Sequence, residues 1–209
     1  MTLADALAAC PIVAILRGVR PEEVIATAEA LETAGVRAVE VPLNSPEPLD
    51  SIALLAQTFA GRLVVGAGTV LTVAQVNQVA QAGGTLIVSP NTDAAVIARA
   101  VALELDPAPG FATASEAFCA LAAGARHLKL FPAVTYGPGH LRQLKAVLPP
   151  EATPWAVGGV GGADLAAWWT AGARAFGVGS EVYRPGQTAA ETAEKAKLLV
   201  EAANALTQS

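Results

Sequence analysis

Lys129 lies in the apolar stretch Leu128-Lys129-Leu130-Phe131-Pro132. A lysine is seldom buried unless it is paired or used chemically. In an apolar strand the ammonium is penalised, its pKa falls, and a neutral amine able to form a Schiff base with a ketone becomes accessible near neutral pH. The competing reading is a strand-end lysine that reaches water. Glu40 has an apolar neighbour on each side, Val39 and Val41. Such a carboxylate is either half of a buried ion pair or a proton shuttle. Arg17, at the end of Ile12-Val13-Ala14-Ile15-Leu16, has a fork suited to a carboxylate, with Thr69 as a second donor; the alternative for Arg17 is a salt bridge at the rim. Gly158-Gly159 and Gly177-Val178-Gly179-Ser180 are small enough for backbone N–H groups to approach an anion. They equally permit tight turns.

These residues sit at matching places in a repeating pattern. Apolar strands are read at 12–16, 38–43, 63–70, 86–90, 104–110, 125–133, 155–160 and 175–180, and helices follow them. A short helix, Leu3 to Ala9, precedes the first strand, and a long one from Ala189 to Leu206 closes the series. Pro21-Glu22-Glu23 opens the first crossover helix and Gly35 ends it. The fifth strand is the weakest, because Pro107 and Pro109 suit a strand end better than its middle. Tyr136-Gly137-Pro138-Gly139 reads as a loop before a helix from His140, and Tyr136 is a candidate pocket residue.

Alternation of strands and helices argues for a parallel sheet. Eight units favour an α/β fold of one (β/α)8 TIM barrel over residues 1–209, with a short N-terminal helix. The runner-up is an open doubly wound sheet, but no GxGxxG follows the first strand. In a barrel the active site lies at the C-terminal ends of the strands, and loops seven and eight commonly hold phosphate. Arg17, Glu40, Asn44, Thr69, Ser89, Lys129, Gly158, Gly159, Gly179 and Ser180 all fall on or just inside that rim.

The formal charge of −5 and the lack of a basic stripe argue against nucleic acid as a partner. Each apolar run is interrupted before transmembrane length, so no membrane association is expected. The start, Met1-Thr2-Leu3-Ala4-Asp5, lacks the basic region of a signal peptide, and a cytoplasmic location is expected. Cys10 and Cys119 form no CxxC and read as small core residues. His127 and His140 are too far apart for a histidine-based metal site, and His127 reads as structural.

The motifs Ile15-Leu16-Arg17-Gly18, Val39-Glu40-Val41-Pro42-Leu43-Asn44-Ser45-Pro46, Gly66-Ala67-Gly68-Thr69-Val70-Leu71, Val88-Ser89-Pro90-Asn91, Leu128-Lys129-Leu130-Phe131-Pro132-Ala133 and Val157-Gly158-Gly159-Val160 occur in this order. Together they resemble the class I 2-keto-3-deoxy-6-phosphogluconate aldolase family over nearly the whole chain. Pro42-Leu43-Asn44-Ser45-Pro46 and Gly179-Ser180-Glu181-Val182-Tyr183-Arg184 most resemble the branch acting on the 6-phosphogalactonate epimer. The resemblance implies a homotrimeric barrel, no metal or organic cofactor, and a phosphorylated 2-keto-3-deoxy sugar acid as substrate. It implies Lys129 as the Schiff-base lysine and Glu40 as the general acid/base. Arg17 and Thr69 would hold the substrate carboxylate, with Asn44 beside them, and Gly158, Gly159, Gly179 and Ser180 the phosphate.

Two departures stand out. Asn44 occupies a position that is arginine in the gluconate branch, and Asp106-Pro107-Ala108-Pro109-Gly110 adds an acid and a proline to strand five. The alternatives left open are the same chemistry on the C4 epimer or on 4-hydroxy-2-oxoglutarate, an isomerase or epimerase working without an imine, a non-catalytic sugar-phosphate binder, and a metal-dependent aldolase.

Overall fold

A computed structural model of the chain describes residues 1–207. It is a parallel barrel sheathed by helices. The strands are β1 (Ile12–Ile15), β2 (Ala38–Pro42), β3 (Val64–Gly68), β4 (Leu86–Val88), β5 (Asp106–Ala108), β6 (Gly110–Phe111), β7 (His127–Leu130), β8 (Thr153–Val157) and β9 (Ala175–Val178). They pair in the order β5-β4-β3-β2-β1-β9-β8-β7-β6. Only Pro109 separates β5 from β6, so these two segments form one wall strand and the sheet closes on itself. The strand carrying Lys129, sixth by sequence count, is therefore β7.

The fifth wall strand shows how two prolines are accommodated inside a barrel. Neighbouring residues of a parallel strand turn their backbone groups to opposite sides. The Asp106 N–H donates to the Thr85 carbonyl at 2.8 Å and Ala108 accepts from the Ser89 N–H, so these residues face β4. Pro109 and Phe111 accept from the Lys129 and Phe131 N–H groups at 2.9 and 3.2 Å, so the intervening set, Pro107 included by alternation, faces β7. Both missing N–H groups thus fall on one seam. The ladder to β7 keeps its acceptors, and regular pairing resumes at Gly110, opposite Lys129. The prolines lie within the wall and divide it, rather than ending it.

Helices α1 (Leu3–Ala9), α2 (Pro21–Ala34), α3 (Pro48–Thr58), α4 (Val73–Gln81), α5 (Ala94–Ala102), α6 (Ala114–Ala122), α7 (Ala133–Lys145), α8 (Leu165–Thr170) and α9 (Ala189–Thr207) cover the barrel. Several begin at side-chain caps: Thr2, Thr72 and Thr113 form capping boxes with Asp5, Gln75 and Glu116, and Asp93 caps α5. Gly35 ends α2 in the left-handed conformation. The expected loop at 136–139 lies within α7, which breaks at Gly137 (φ 75°, ψ 164°) and resumes with Pro138 at its new start. Cys10 is buried, as expected. Cys119 is exposed, because α6 buries Ala117 and Ala120 and turns its other face to solvent. No helix among the described residues is long and apolar enough to cross a membrane.

Strand alternation divides the apolar residues into two cores. Ile12, Ala14, Val39, Val41, Leu128, Leu130, Phe176 and Val178 point outward beneath the helices. Val13, Ala38, Val64, Leu86, Ala108, Trp155 and Ala175 point inward, and Leu3 and Ala6 of α1 join them. Helix α1 therefore plugs the N-terminal end of the barrel, beneath the layer that carries the charged residues. Leu3→Ala should lower unfolding stability by about 2–5 kcal/mol, whereas Leu3→Met should cost less than ~1.5 kcal/mol. Urea titration of the two variants checks this; equal stabilities would show that α1 does not serve as the plug.

Candidate active site

Glu40 and Lys129 point into the barrel and are 4% and 5% exposed. They come from β2 and β7, which lie four strand steps apart whichever way the closed sheet is walked. The two side chains therefore face one another across the barrel axis. Among the described residues no ion pair within 4.0 Å links them. The Lys129 ammonium lies over the Phe131 ring, 4.6 Å from its centroid. One Glu40 oxygen, Oε2, is buried with no hydrogen-bond partner. Such an orphan costs free energy, and in a native fold it calls for a ligand, a water or a chemical role.

The space for this carboxylate comes from β3. Gly66 is the register partner of Glu40, and a methyl group at Gly68 would overlap the Glu40 carboxylate. A larger residue there would push the acid off the axis. Gly177 serves similarly on β9, where a Cβ would come within 2.8 Å of the Val157 side chain.

Burial dominates the electrostatics. It raises the Glu40 carboxyl to about 7, although the charges of Lys129 and Arg17 pull the other way. Burial lowers Lys129 to about 8; Glu40 opposes that shift and Arg17 adds to it. An acid and an amine that both change charge near neutrality can exchange protons with a reactant at little cost. His127 shares the interior side two residues before the lysine, but it has a different role. Burial depresses it to about 4, and its Nδ1 accepts from the Trp155 indole N–H at 3.2 Å. It is a neutral structural histidine.

Arg17 and Asn44 meet at the rim, where Nη1 donates to Oδ1 at 2.7 Å. Arg17 makes no salt bridge among the described residues. Its guanidinium keeps donors for an anion, and Asn44 orients it. The Gly18 N–H donates to Ser45 Oγ at 2.9 Å, a second tie between the ends of β1 and β2. Thr69 follows β3 with φ 59°. Left-handed backbone at a β-branched residue costs about 1–3 kcal/mol and is typical of positions held for function.

A cavity of about 690 Å³ opens beside this group, over the ends of β8 and β9. Gly158, Gly159, Gly179, Ser180 and Arg17 all line it, and Gly158 and Gly159 turn there with φ 95° and 73°. Lys129 and Glu40 do not line this cavity; Phe131, on which the Lys129 ammonium rests, and Ile15, the register partner of Glu40, do. Thr69 and Asn44 stand outside that lining, towards the ends of β3 and β2. Tyr136 is not part of it; its ring stacks on His140 at 4.9 Å. No cluster of three or more histidine, cysteine or acidic side chains gathers for a metal among the described residues.

Sequence reasoning missed Gly68, Phe131 and Ser45. The alternation Gly66-Ala67-Gly68, which lies opposite Glu40-Val41-Pro42, carried the signal for the first, since small residues at period two leave room on one face.

Known proteins resemble this chain in sequence and fold. A family model for KDPG and KHG aldolases matches residues 3–198. The chain is 46% identical over 192 residues to the 2-dehydro-3-deoxy-6-phosphogalactonate aldolase of Escherichia coli K12, covering 92% of this chain and 94% of that relative. A solved structure described as native KDPGal superposes with a TM-score of 0.93 at 45% identity, over 95% of this chain and 97% of that one. A KDPG aldolase from Legionella pneumophila, with pyruvate captured as a covalent carbinolamine, superposes with a TM-score of 0.83 at 26% identity, over 99% and 98% of the two chains. Fold and sequence similarity agree along nearly the full length, and the chain belongs to the KDPG and KHG aldolase family.

Proposed function

We propose that the protein is a class I aldolase that cleaves 2-dehydro-3-deoxy-6-phosphogalactonate to pyruvate and D-glyceraldehyde 3-phosphate. The observation that carries this reading is the buried lysine facing, across the barrel, a buried carboxylate with one oxygen that has no hydrogen-bond partner. Similarity to the Escherichia coli relative supports the galactonate substrate.

In this scheme neutral Lys129 adds to the C2 ketone and gives a carbinolamine. Loss of water leaves an iminium. The Glu40 carboxylate takes the C4 hydroxyl proton, the C3–C4 bond breaks, and its electrons pass into the iminium to form an enamine. Glyceraldehyde 3-phosphate departs. Protonation of C3 by the Glu40 acid and hydrolysis of the imine release pyruvate and restore the amine. The carboxyl near 7 suits Glu40 to both halves of this exchange. Arg17 and Thr69, with Asn44 orienting the guanidinium, take the substrate carboxylate. Gly158, Gly159, Gly179 and Ser180 take the phosphate through backbone N–H groups. A homotrimer and a cytoplasmic setting complete the reading, and family membership supports them.

A barrel isomerase working without an imine would use the same acid and lysine, but it leaves the depth of Lys129 without a purpose. Lys129→Ala should abolish pyruvate release from the phosphogalactonate. Glu40→Gln should lower kcat by about 10²–10⁴. Coupled pyruvate assays on the two C4 epimers should give the larger kcat/KM for the galacto compound; a larger value for the gluco epimer would reassign the substrate.

The pH dependence follows from the two shifts. At low pH Glu40 is protonated and Lys129 charged, so both base and nucleophile are absent. As pH rises through about 7 and about 8 both reach their working forms. A kcat/KM profile should therefore climb from about pH 6 and level above about pH 9. A profile that falls over this interval would contradict the assigned roles.

A further inference from the structure

Tyr183 is buried, at 2% exposure, yet its hydroxyl takes no part in the chemistry above. The residue belongs to the connection between β9 and α9, three residues after Ser180. Its hydroxyl donates to Glu23 Oε1 at 2.8 Å, across 160 residues of sequence. The same oxygen accepts the Arg20 N–H at 3.1 Å, at the start of α2. One carboxylate oxygen therefore ties together the connection after β1, which carries Arg17, and the connection after β9, which carries Ser180.

Other contacts close the same seam. A Cβ at Gly18 (φ 81°) would come within 2.7 Å of the Pro185 side chain, so the two connections pack backbone against ring. Gly179 accepts the Val182 and Tyr183 N–H groups, each at 2.9 Å. The tyrosine is thereby coupled to the turn that follows β9. Further along, Gln187 Nε2 donates to the Val182 carbonyl at 2.8 Å and the Lys195 ammonium to Gln187 Oε1 at 2.6 Å, which anchors the far side of the connection to α9. Among the described residues, the Tyr183 bond is the one hydrogen bond that ties the near side to α2. Both connections line one cavity.

We propose that Tyr183 is a positioning residue: its bond to Glu23 fixes the distance between the Arg17 end and the Ser180 end of the site, and so matches the cavity to a substrate carrying a carboxylate at one terminus and a phosphate at the other. The inference rests on the functional reading given above. It assigns Tyr183 no contact with the reacting atoms. Loss of the bond lets the phosphate turn drift while Lys129 and Glu40, held in the barrel wall, stay in place. The cost therefore falls on binding of the phosphorylated substrate and spares the bond-breaking step.

Tyr183→Phe keeps the ring and removes the hydroxyl. Its KM for 2-dehydro-3-deoxy-6-phosphogalactonate should rise about three- to tenfold at nearly unchanged kcat, a part of what one hydrogen bond to a charged acceptor is worth, since the bond acts on binding only through position. For the same sugar acid without its phosphate, kcat/KM should stay within about twofold, since only one end of that molecule is gripped. Glu23→Gln, which keeps an acceptor oxygen, should retain a KM near that of the parent protein. An unchanged KM in Tyr183→Phe, or an equal loss on both substrates, would overturn the assignment. Equal KM values of the parent protein for the two substrates would overturn the phosphate site itself, and that failure shows before any variant is made.

Discussion

The structure depends on placing an ammonium and a carboxylate face to face in an apolar barrel without letting them collapse into a closed salt bridge. Burial of either charge alone is costly, and burial of both is tolerable only when each moderates the other. Here desolvation outweighs their mutual attraction. It draws both groups towards neutrality and leaves them near the midpoint of proton exchange. A closed ion pair would have restored ordinary pKa values and removed the nucleophile. Keeping the groups on opposite walls, four strands apart, prevents that while preserving the coulombic link.

Much of the remaining architecture serves this arrangement. The small residues of β3 and β9 leave space at the axis. Helix α1 and the Val13–Trp155 layer close the barrel from below. The fifth wall strand carries its two prolines on the side towards β7. There the carbonyls of Pro109 and Phe111 still hold the backbone of Lys129 and Phe131. The strand that positions the nucleophile is thus anchored by acceptors alone along part of one edge. The rim adds a different kind of control: Arg17, Asn44 and Ser45 tie the ends of β1 and β2, and Tyr183 ties the β1 and β9 connections.

The sequence made the strand–helix alternation legible because buried parallel strands read as continuous apolar runs, in which an embedded Lys129 or Glu40 is conspicuous. The rim residues were legible by position, once eight units were counted. Other features depended on which neighbour a residue meets, which one-dimensional pattern does not encode. Gly68 looks like any turn glycine until Glu40 is seen against it. Pro107 and Pro109 look like strand breakers until their missing N–H groups are found on one seam. Gly137-Pro138 looked like a loop because both residues disfavour a helix interior, yet the chain re-enters a helix at once with proline in its first turn. Cys119 looked buried by residue type, and helix facing overruled it.

The central claim is that Lys129 is the nucleophile because its amine is desolvated opposite Glu40. Incubation with pyruvate and borohydride, followed by peptide mass spectrometry, tests this most directly. The account predicts one reduced pyruvate adduct per chain, located on Lys129 and absent after Lys129→Ala. An unmodified protein, or the adduct on another lysine, would contradict it.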